Sequence, residues 1–313
     1  MCTQYKKQNK MLAYFFGIII SAVAFYWADK SEEKPASAYT KPIIFVSTFP
    51  LYEAARSVAG KTLEIRSIIP LGSDAHTFAP SPSQVAALSK SPLFIYSGAG
   101  FETWAQPLKN SLLPTVKMID MSQYVTLMKN TTGSHQHGAY DPHYWLDIDN
   151  MIRMTQVMEA EFSTLIPLNK QFYHTNAAAY IRKLQQLKND YAKGLKLCKN
   201  HTLITNHDAF GYLAHTNQLK NISVIGLSSD EQPSAKTMSE IITLVKREGV
   251  KTIFFEELID DHISQTIAKE SGAKALSLQP LENISETELK SHQTYISIMG
   301  ENLAKLHDAM ECR

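Results

Sequence analysis

The sequence predicts an α/β fold of two lobes, each with a parallel sheet flanked by helices, joined by a long rigid helix. Two series of short apolar runs, rich in Ile, Val, Leu and Phe, each alternate with segments of helical periodicity. Apolar runs without polar alternation are typical of strands buried on both faces of a parallel sheet. Between the two series, a segment that starts at Lys170 contains no proline, and no glycine before Gly194. Strands that alternate with helices in two series therefore indicate α/β architecture repeated twice.

The predicted strands form two sets, one in each lobe. The first set is Ile43–Val46, Leu63–Ile69, Leu93–Tyr96 and Val116–Ile119, and the second is Leu203–Thr205, Ile222–Leu227, Thr252–Phe255 and Ala273–Leu278. Helices are predicted between the strands, because proline precedes and glycine follows several of the periodic segments. The clearest of them are Ser83–Ser89, Ser234–Glu248 after Pro233, and His262–Ser271 before Gly272.

The connecting segment, residues 168–198, has one apolar face. Its large and apolar residues recur at helical spacing, at Tyr173, Ala177, Tyr180, Leu184, Leu187 and Tyr191. One helix from Lys170 to Leu197 would be roughly 40 Å long at 1.5 Å per residue. This length favours a strut between lobes at 41–167 and 199–313. The alternative is an ordinary crossover helix that is broken near Lys183.

The first forty residues are separate from the folded body. Three lysines precede the apolar run Met11–Trp27, and Ala22-Val-Ala24 within it fits the small-residue pattern of a signal-peptidase site. Residues 1–30 are therefore predicted to be a signal peptide or, as the alternative, an uncleaved membrane anchor. Residues 31–40 are predicted to be a linker. Both interpretations place the body outside the cytoplasm, in the periplasm.

Composition and cysteine usage exclude some classes of protein. Lys plus Arg (31) nearly balance Asp plus Glu (30), so no charge excess indicates a nucleic-acid partner. Two cysteines follow the N-terminal segment, Cys198 and Cys312, and their spacing is not that of a C-x-x-C site. In an oxidising compartment they could form a bridge, but sequence alone does not establish the pairing.

Three of the eleven histidines occupy equivalent places in the predicted topology. Each follows the carboxyl end of a predicted strand, and they are His76, His143 and His207. Ligands bind at this edge in open α/β folds, and the edges of two facing lobes can line one cleft. Neutral imidazole is the commonest protein ligand for transition metals, and three histidines with one further donor are a known zinc arrangement. The sequence therefore predicts a metal site between the lobes.

From about Lys41 to Met310 the chain resembles the metal-binding solute receptors of ABC transporters, which take up zinc, manganese or iron. The matching segments are Asp74-Ala-His-Thr-Phe-Ala-Pro-Ser-Pro82, Asp141-Pro-His-Tyr-Trp-Leu-Asp147, His207-Asp-Ala-Phe-Gly-Tyr212, Ile253-Phe-Phe-Glu256 and the helical pattern Tyr295–Met310. The resemblance implies metal held by His76, His143 and His207, delivery to a membrane permease, and a monomer.

The resemblance also implies a fourth ligand, usually an acidic residue in a Leu-Asp-Pro-Leu pattern after the last strand. Here that pattern reads Leu278-Gln-Pro-Leu281, so Gln279 takes the acidic position. Gln279 could bind metal through its carbonyl oxygen. Asp230, Glu231 or a water molecule are the alternatives.

The predicted metal is zinc. Manganese receptors of this type commonly carry a carboxylate at the position of His207, and three imidazoles favour Zn²⁺ over Mn²⁺ or Fe²⁺. His135 and His137, in Gly133-Ser-His-Gln-His-Gly138, resemble a reduced form of the histidine-rich loop of zinc receptors. The alternative is an ordinary solvent loop with incidental histidines.

An enzyme is the main rival, since three histidines and an open position also describe catalytic zinc. The sequence contains no H-E-x-x-H, no G-x-S-x-G and no glycine-rich phosphate loop. We therefore expect a receptor rather than a zinc hydrolase. A surface adhesin stays open as a second role.

Overall fold

The computed structural model describes residues 41–112, 115–130, 138–227, 233–256 and 262–313. The predicted signal peptide and linker lie outside the described residues. So do four side chains named above, His135, His137, Asp230 and Glu231. Within the described ranges, no helix combines the length and the apolar character needed to cross a membrane.

Two parallel sheets of four strands each organise the fold. The first has the order β2-β1-β3-β4 and the second the order β6-β5-β7-β8, so the same crossover pattern occurs twice. The strands are β1 (Ile43–Val46), β2 (Glu64–Ser67), β3 (Leu93–Tyr96), β4 (Lys117–Asp120), β5 (Thr202–Thr205), β6 (Lys220–Ser223), β7 (Thr252–Phe255) and β8 (Lys274–Ser277). The predicted fold class is confirmed.

Ten α-helices lie within the described residues. They are α1 (Phe49–Ala59), α2 (Pro82–Leu88), α3 (Ala105–Leu112), α4 (Ile148–Leu165), α5 (Lys170–Gly194), α6 (Gly211–Thr216), α7 (Ala235–Glu248), α8 (His262–Ser271), α9 (Glu286–Lys290) and α10 (Tyr295–Ala309). Side-chain caps explain two of the helix starts. Ser81 and Gln84 form a reciprocal capping box at α2, and the Ser234 hydroxyl accepts the Thr237 N–H at α7.

The predicted strands are correct in order, but one of them is displaced. The run Ile222–Leu227 was expected to be a strand, whereas β6 is Lys220–Ser223. Val224, Ile225 and Leu227 are nevertheless buried. The chain after β6 continues beside the end of β5, where the Val224 N–H donates to the Thr205 carbonyl at 3.0 Å. An apolar run therefore indicated burial here rather than extended backbone. The outer strands, such as β2 and β8, are also partly exposed rather than buried on both faces.

Helix α5 runs unbroken from Lys170 to Gly194 and connects the two halves of the chain. The six residues predicted to form its apolar face are its buried residues. Near its start, the Thr62 hydroxyl donates a hydrogen bond to the Tyr173 hydroxyl (2.9 Å), which ties the helix to the first lobe. Near its end, the Tyr191 hydroxyl donates to the carbonyl of Met299 in α10 (2.8 Å). The predicted connecting helix is confirmed, and the alternative of a break near Lys183 is wrong. The exact lobe boundaries stay a prediction.

The buried apolar residues form two clusters of unequal size. The larger contains the inner strands of the first sheet, helices α1, α4 and α5, and most of the buried residues of α10. The smaller lies within the second sheet and its helices, and includes Ile204, Ile241, Val245, Ile253 and Ile267. Residues 278–284, after β8, contribute Leu278, Leu281 and Ile284 to the larger cluster. The chain after the last strand therefore returns to the core of the first lobe.

A disulfide joins Cys198, just beyond α5, to Cys312 at the end of the chain. The two residues are 114 positions apart and also form an isolated antiparallel bridge. The cross-link therefore ties the C-terminal end of α10 back to the end of the connecting helix. Sequence alone had left this pairing open.

We expect the double variant Cys198→Ser, Cys312→Ser to be less stable than the native chain. Cross-linking a loop of this length removes chain entropy from the unfolded state, which is worth about 4–5 kcal/mol on the entropic model. Urea denaturation of the native chain, with and without reductant, measures the difference. The double variant is the control, since reductant should leave its midpoint unchanged. Equal midpoints for oxidised and reduced native chain would contradict the prediction.

Candidate metal centre

Two of the predicted ligands belong to Asp-x-His segments of the first lobe. In Asp74-Ala-His76 and in Asp141-Pro-His143, the Asp carboxylate accepts the backbone N–H of the histidine two residues later, at 2.9 Å in both cases. This local turn is a preference of Asp side chains and fixes the backbone that carries each imidazole. Asp141 also reaches the ring, because its Oδ1 lies 2.8 Å from Nδ1 of His143.

His207 comes from the second sheet. It follows β5 by two residues, and its backbone is held by the Thr205 hydroxyl, which donates to the His207 carbonyl at 2.8 Å. The imidazole is completely buried. Its position beyond the carboxyl end of a parallel strand is the one that the topology predicts for ligand-binding residues.

The structure brings these three histidines together around a residue that sequence reasoning missed, Glu282. One carboxylate oxygen, Oε1, lies 3.0 Å from Nε2 of His76, 3.0 Å from Nε2 of His143 and 3.4 Å from Nε2 of His207. One potential ligand atom from each of the four residues lies within 4.8 Å of the others. We call this group of His76, His143, His207 and Glu282 the four-residue cluster.

Glu282 reaches the cluster because the segment after β8 is fastened to the first lobe. The Phe49 N–H donates to the Glu282 carbonyl (3.1 Å), and the Asn283 amide donates to the carbonyls of Pro70 (2.6 Å) and Ser73 (2.9 Å). On the other side, the Trp145 indole N–H donates to the Pro280 carbonyl at 2.8 Å. These bonds link the strand end of the second sheet to the loops that carry His76 and His143.

Aromatic rings enclose the histidines. Phe101 meets His76 edge to face at 4.7 Å between ring centroids, and Trp145 meets His143 in the same way at 5.5 Å. Phe101 and Trp145 also contact each other. This apolar wall excludes water, so interactions between charges in the cluster are stronger than at the surface.

Burial and mutual charge shift the protonation of the cluster. Burial opposes a positive charge on His143, but its hydrogen bonds to Asp141 and Glu282 prevail and raise its pKa to about 10. At His207, burial prevails over the attraction of Glu282 and lowers the pKa to about 4. Burial would raise the pKa of Glu282, but the three histidines hold it well below its usual range. The Glu282 carboxylate is therefore ionised and the His143 imidazole is protonated near neutral pH.

The donor set suits a zinc ion. Nitrogen and oxygen ligands about 2.0–2.2 Å from a tetrahedral ion lie roughly 3.3–3.6 Å from one another, close to the separations between Glu282 and the histidines. Both ring nitrogens of His207 are buried and, within the described part of the chain, make no hydrogen bond. A buried ring nitrogen without a well-formed hydrogen bond costs free energy, which coordination of a cation at Nε2 would recover.

Gln279, the residue predicted as fourth ligand, has other partners. Its side-chain nitrogen donates to Glu288 (3.1 Å) and its side-chain oxygen accepts the Leu281 N–H (3.3 Å). Glu282, three residues further on, occupies the place beside the histidines instead. The reason is the turn through Pro280 and Leu281, the latter with a positive φ of 64°, which directs residue 282 rather than 279 toward the first lobe. The sequence signal for Glu282 was its place after the last strand.

The chain combines two parallel-sheet halves, a connecting helix and a buried cluster of three histidines and one carboxylate, which together define a two-lobed α/β protein with a candidate metal centre. Residues 44–309 match the family described as zinc-uptake complex component A, periplasmic, or ZnuA. The chain belongs to this family.

Named relatives and a solved structure agree with this assignment. The zinc-binding lipoprotein AdcA of Streptococcus pneumoniae is 34% identical over 299 residues, which covers 92% of this chain and 59% of AdcA. The chain thus spans about three fifths of that relative. The high-affinity zinc uptake protein ZnuA of Bacillus subtilis is 31% identical over 90% of this chain and 92% of its own length. The Zn(II)-bound ZnuA-like domain of pneumococcal AdcA superposes with a TM-score of 0.76, at 34% identity, over 87% of this chain and 99% of the domain.

Proposed function

We propose that this protein captures zinc outside the cytoplasm and passes it to the permease of an ABC transporter. The observation that carries the proposal is the four-residue cluster, buried where the two sheets meet, in a chain of the zinc-uptake family. We further propose His76, His143, His207 and Glu282 as the zinc ligands. In this ligand set Glu282 replaces Gln279, because the Gln279 amide is bonded to Glu288 and Leu281.

A complete set of protein ligands supports a receptor rather than an enzyme. Catalytic zinc commonly has three protein ligands and an open position for water or substrate, whereas four protein ligands close a tetrahedral site. The cluster provides four donors, and three of its residues are buried, the fourth having a side chain that is 5% exposed. A closed, dry site binds the ion without presenting it to a substrate.

The donor chemistry favours zinc over manganese or iron. Three imidazoles suit Zn²⁺, whereas carboxylate, carbonyl and water oxygens suit Mn²⁺. Glu282 supplies one negative charge, so the site is less oxygen-rich than a typical manganese site. A manganese or iron receptor of the same type is the alternative.

Extracytoplasmic function is supported by two features of the chain. The basic and apolar N-terminal segment has the pattern of an export signal or anchor. The bridge between Cys198 and Cys312 is of the kind that persists in oxidising compartments. We propose that the exported protein acts as a monomer.

Elemental analysis tests the choice of metal. The purified chain is exposed to equal concentrations of zinc, manganese and iron, and the retained metal is counted after removal of unbound ions. We expect one zinc per chain, and none in a variant with Ala at the three histidine positions. Retention of manganese or iron in place of zinc would overturn the choice of metal.

Two further experiments test the role. Cells that lack this protein but keep the transporter should lose zinc uptake. The zinc-loaded chain should hydrolyse no ester, peptide or phosphate substrate. Zinc-dependent turnover that disappears in His143→Ala would contradict the receptor proposal.

Gly211 lies beside Asp141, the carboxylate that holds His143, so a substitution there tests whether this contact matters for zinc binding. A Cβ atom at this position would lie 2.9 Å from Oδ2 of Asp141, whose other oxygen holds His143. We expect Gly211→Ala to weaken zinc binding roughly tenfold, because displacing Asp141 disturbs the orientation of a ligand. Chelator competition measures the affinity. Gly300→Ala is the control, since among the described residues nothing outside the adjoining turns of its own helix lies within 4 Å of a Cβ there. Equal affinity in both variants would contradict the prediction.

A further inference from the structure

Glu256 and His207 are opposite each other because of the strand register in the second sheet. Strands β5 and β7 are parallel neighbours, and Thr205 pairs with Phe254. His207 and Glu256 each follow their paired residue by two positions. The ladder continues between the strands in this region, where the Asn206 N–H donates to the Phe254 carbonyl at 2.9 Å. Where two parallel strands end at the same level, residues the same number of positions beyond the last pair lie side by side.

The two side chains are in direct contact and buried. Nδ1 of His207 meets Oε1 of Glu256, and the side chains are 0% and 5% exposed. Within the described residues, neither of these atoms makes a hydrogen bond that satisfies normal geometry. Each atom therefore has the other as its close polar neighbour, in a place where an unsatisfied polar group is costly.

His143 also has a carboxylate beside its ring, but that carboxylate comes from a different part of the chain than the one beside His207. The carboxylate beside His143 belongs to Asp141, two residues earlier in the same loop. The residue two positions before His207 is Thr205, whose hydroxyl is bonded to a backbone carbonyl. The carboxylate beside His207 therefore comes from a neighbouring strand, 49 positions along the chain, as the numbering shows.

The contact with Glu256 bears on which ring nitrogen of His207 carries the proton. A neutral imidazole that binds metal through Nε2 carries its proton on Nδ1, and a carboxylate that accepts this proton fixes the tautomer and ring orientation. The same carboxylate makes the ring a better donor. Burial and the charge of Glu282 raise the pKa of Glu256 well above its usual range. A divalent ion nearby favours the ionised form of this carboxylate, which then adds its negative charge to that of Glu282.

We propose that Glu256 is the positioning residue of His207: it accepts the Nδ1 proton, presents Nε2 to zinc, and strengthens zinc binding through its charge. The proposal rests on zinc capture at the four-residue cluster. It makes Glu256 part of the zinc receptor without being a ligand. The alternative hypothesis is that Glu256 only stabilises the fold. In that case its contribution to zinc affinity does not depend on His207.

A double-mutant cycle distinguishes the positioning role from a purely structural role of Glu256. We expect Glu256→Gln, which keeps an acceptor oxygen and removes the charge, to weaken zinc binding about tenfold, and Glu256→Ala to weaken it toward a hundredfold. In a His207→Ala background, Glu256→Gln should change the affinity less than about threefold, because no ring remains to be positioned. Equal losses in both backgrounds would overturn the proposal.

Glu53→Gln is the matched control for removing a buried carboxylate. The Glu53 carboxylate bonds to Arg56 and to the Tyr295 N–H, so its loss should reduce stability and leave zinc affinity unchanged. The visible spectrum of the Co²⁺-substituted chain is a second readout. Its absorption band should be the same in native chain and Glu53→Gln, and altered in Glu256→Ala. An unaltered band in Glu256→Ala would overturn the proposal.

The outcomes distinguish this inference from the proposed function. Failure of the native chain to bind zinc removes the proposed function. Zinc binding by the native chain that is weakened in His207→Ala but unaffected in both Glu256 variants removes the positioning role alone.

Discussion

Glu282→Ala should raise the zinc dissociation constant at least about a hundredfold. Glu282 is the charged donor among the four, and its removal leaves a buried cation facing three neutral rings. Removing one partner from a buried charge pair costs about 3–5 kcal/mol, which corresponds to a factor of roughly 10²–10⁴ in affinity. Glu282→Gln keeps the size of the side chain and an oxygen donor, and we expect an intermediate loss.

Gln279→Ala is the control for this experiment. Its amide is bonded to Glu288 and Leu281, so the substitution should change zinc affinity less than about threefold, within the range of indirect effects. Calorimetric titration, with a competing chelator for tight binding, measures all three variants. A larger loss in Gln279→Ala than in Glu282→Ala would return residue 279 to the ligand set.

Zinc affinity should fall about tenfold for each unit by which pH is lowered below neutrality, as protons compete for a ligand. The pKa of His143 is raised to about 10, because Asp141 and Glu282 outweigh the opposing effect of burial. A raised pKa favours the protonated ring at every pH below that value, whereas zinc binds only the neutral ring. Each zinc ion bound at pH 7 should therefore release at least one proton.

Calorimetry in buffers of different ionisation enthalpy counts the released protons. Asp141→Asn removes a carboxylate that holds the extra proton on His143, so this variant should release fewer protons at pH 7 and show a shallower pH dependence. An affinity that stays constant between pH 8 and pH 6 would contradict the prediction. The lowered pKa of His207, about 4, adds a second competing proton only in strongly acidic solution.

Sequence reasoning succeeded where local rules govern the structure. The strands Ile43–Val46, Leu93–Tyr96 and Thr252–Phe255 have the predicted bounds, because inner strands of a parallel sheet are buried on both faces and read as continuous apolar runs. The buried face of α5 follows from helical periodicity alone. The three histidines could be selected because the carboxyl edge of a parallel sheet is a general ligand site.

The same reasoning could not choose between candidate residues where segments far apart in sequence must meet. The choice between Gln279 and Glu282 depends on the direction of a turn, and that turn is held by Phe49, Trp145 and Asn283 through bonds across the lobes. No local pattern encodes these bonds. Matching the segment to a family motif therefore pointed to Gln279, on the other side of the turn from the proposed ligand Glu282.

The two carboxylates beside the histidine rings illustrate the boundary between these cases. The Asp141 and His143 partnership can be seen in the sequence, since an Asp two residues before a histidine bonds to it through a local turn. The partnership of His207 with Glu256 depends on Thr205 being paired with Phe254. Register between strands arises from the packing of whole elements, and a shift of one residue would turn Glu256 to the other face of the sheet. Periodicity and topology thus predicted the fold and the three histidines of the cluster, whereas the position of Glu282, the contact between Glu256 and His207 and the cysteine pairing depended on contacts that form when distant segments pack together.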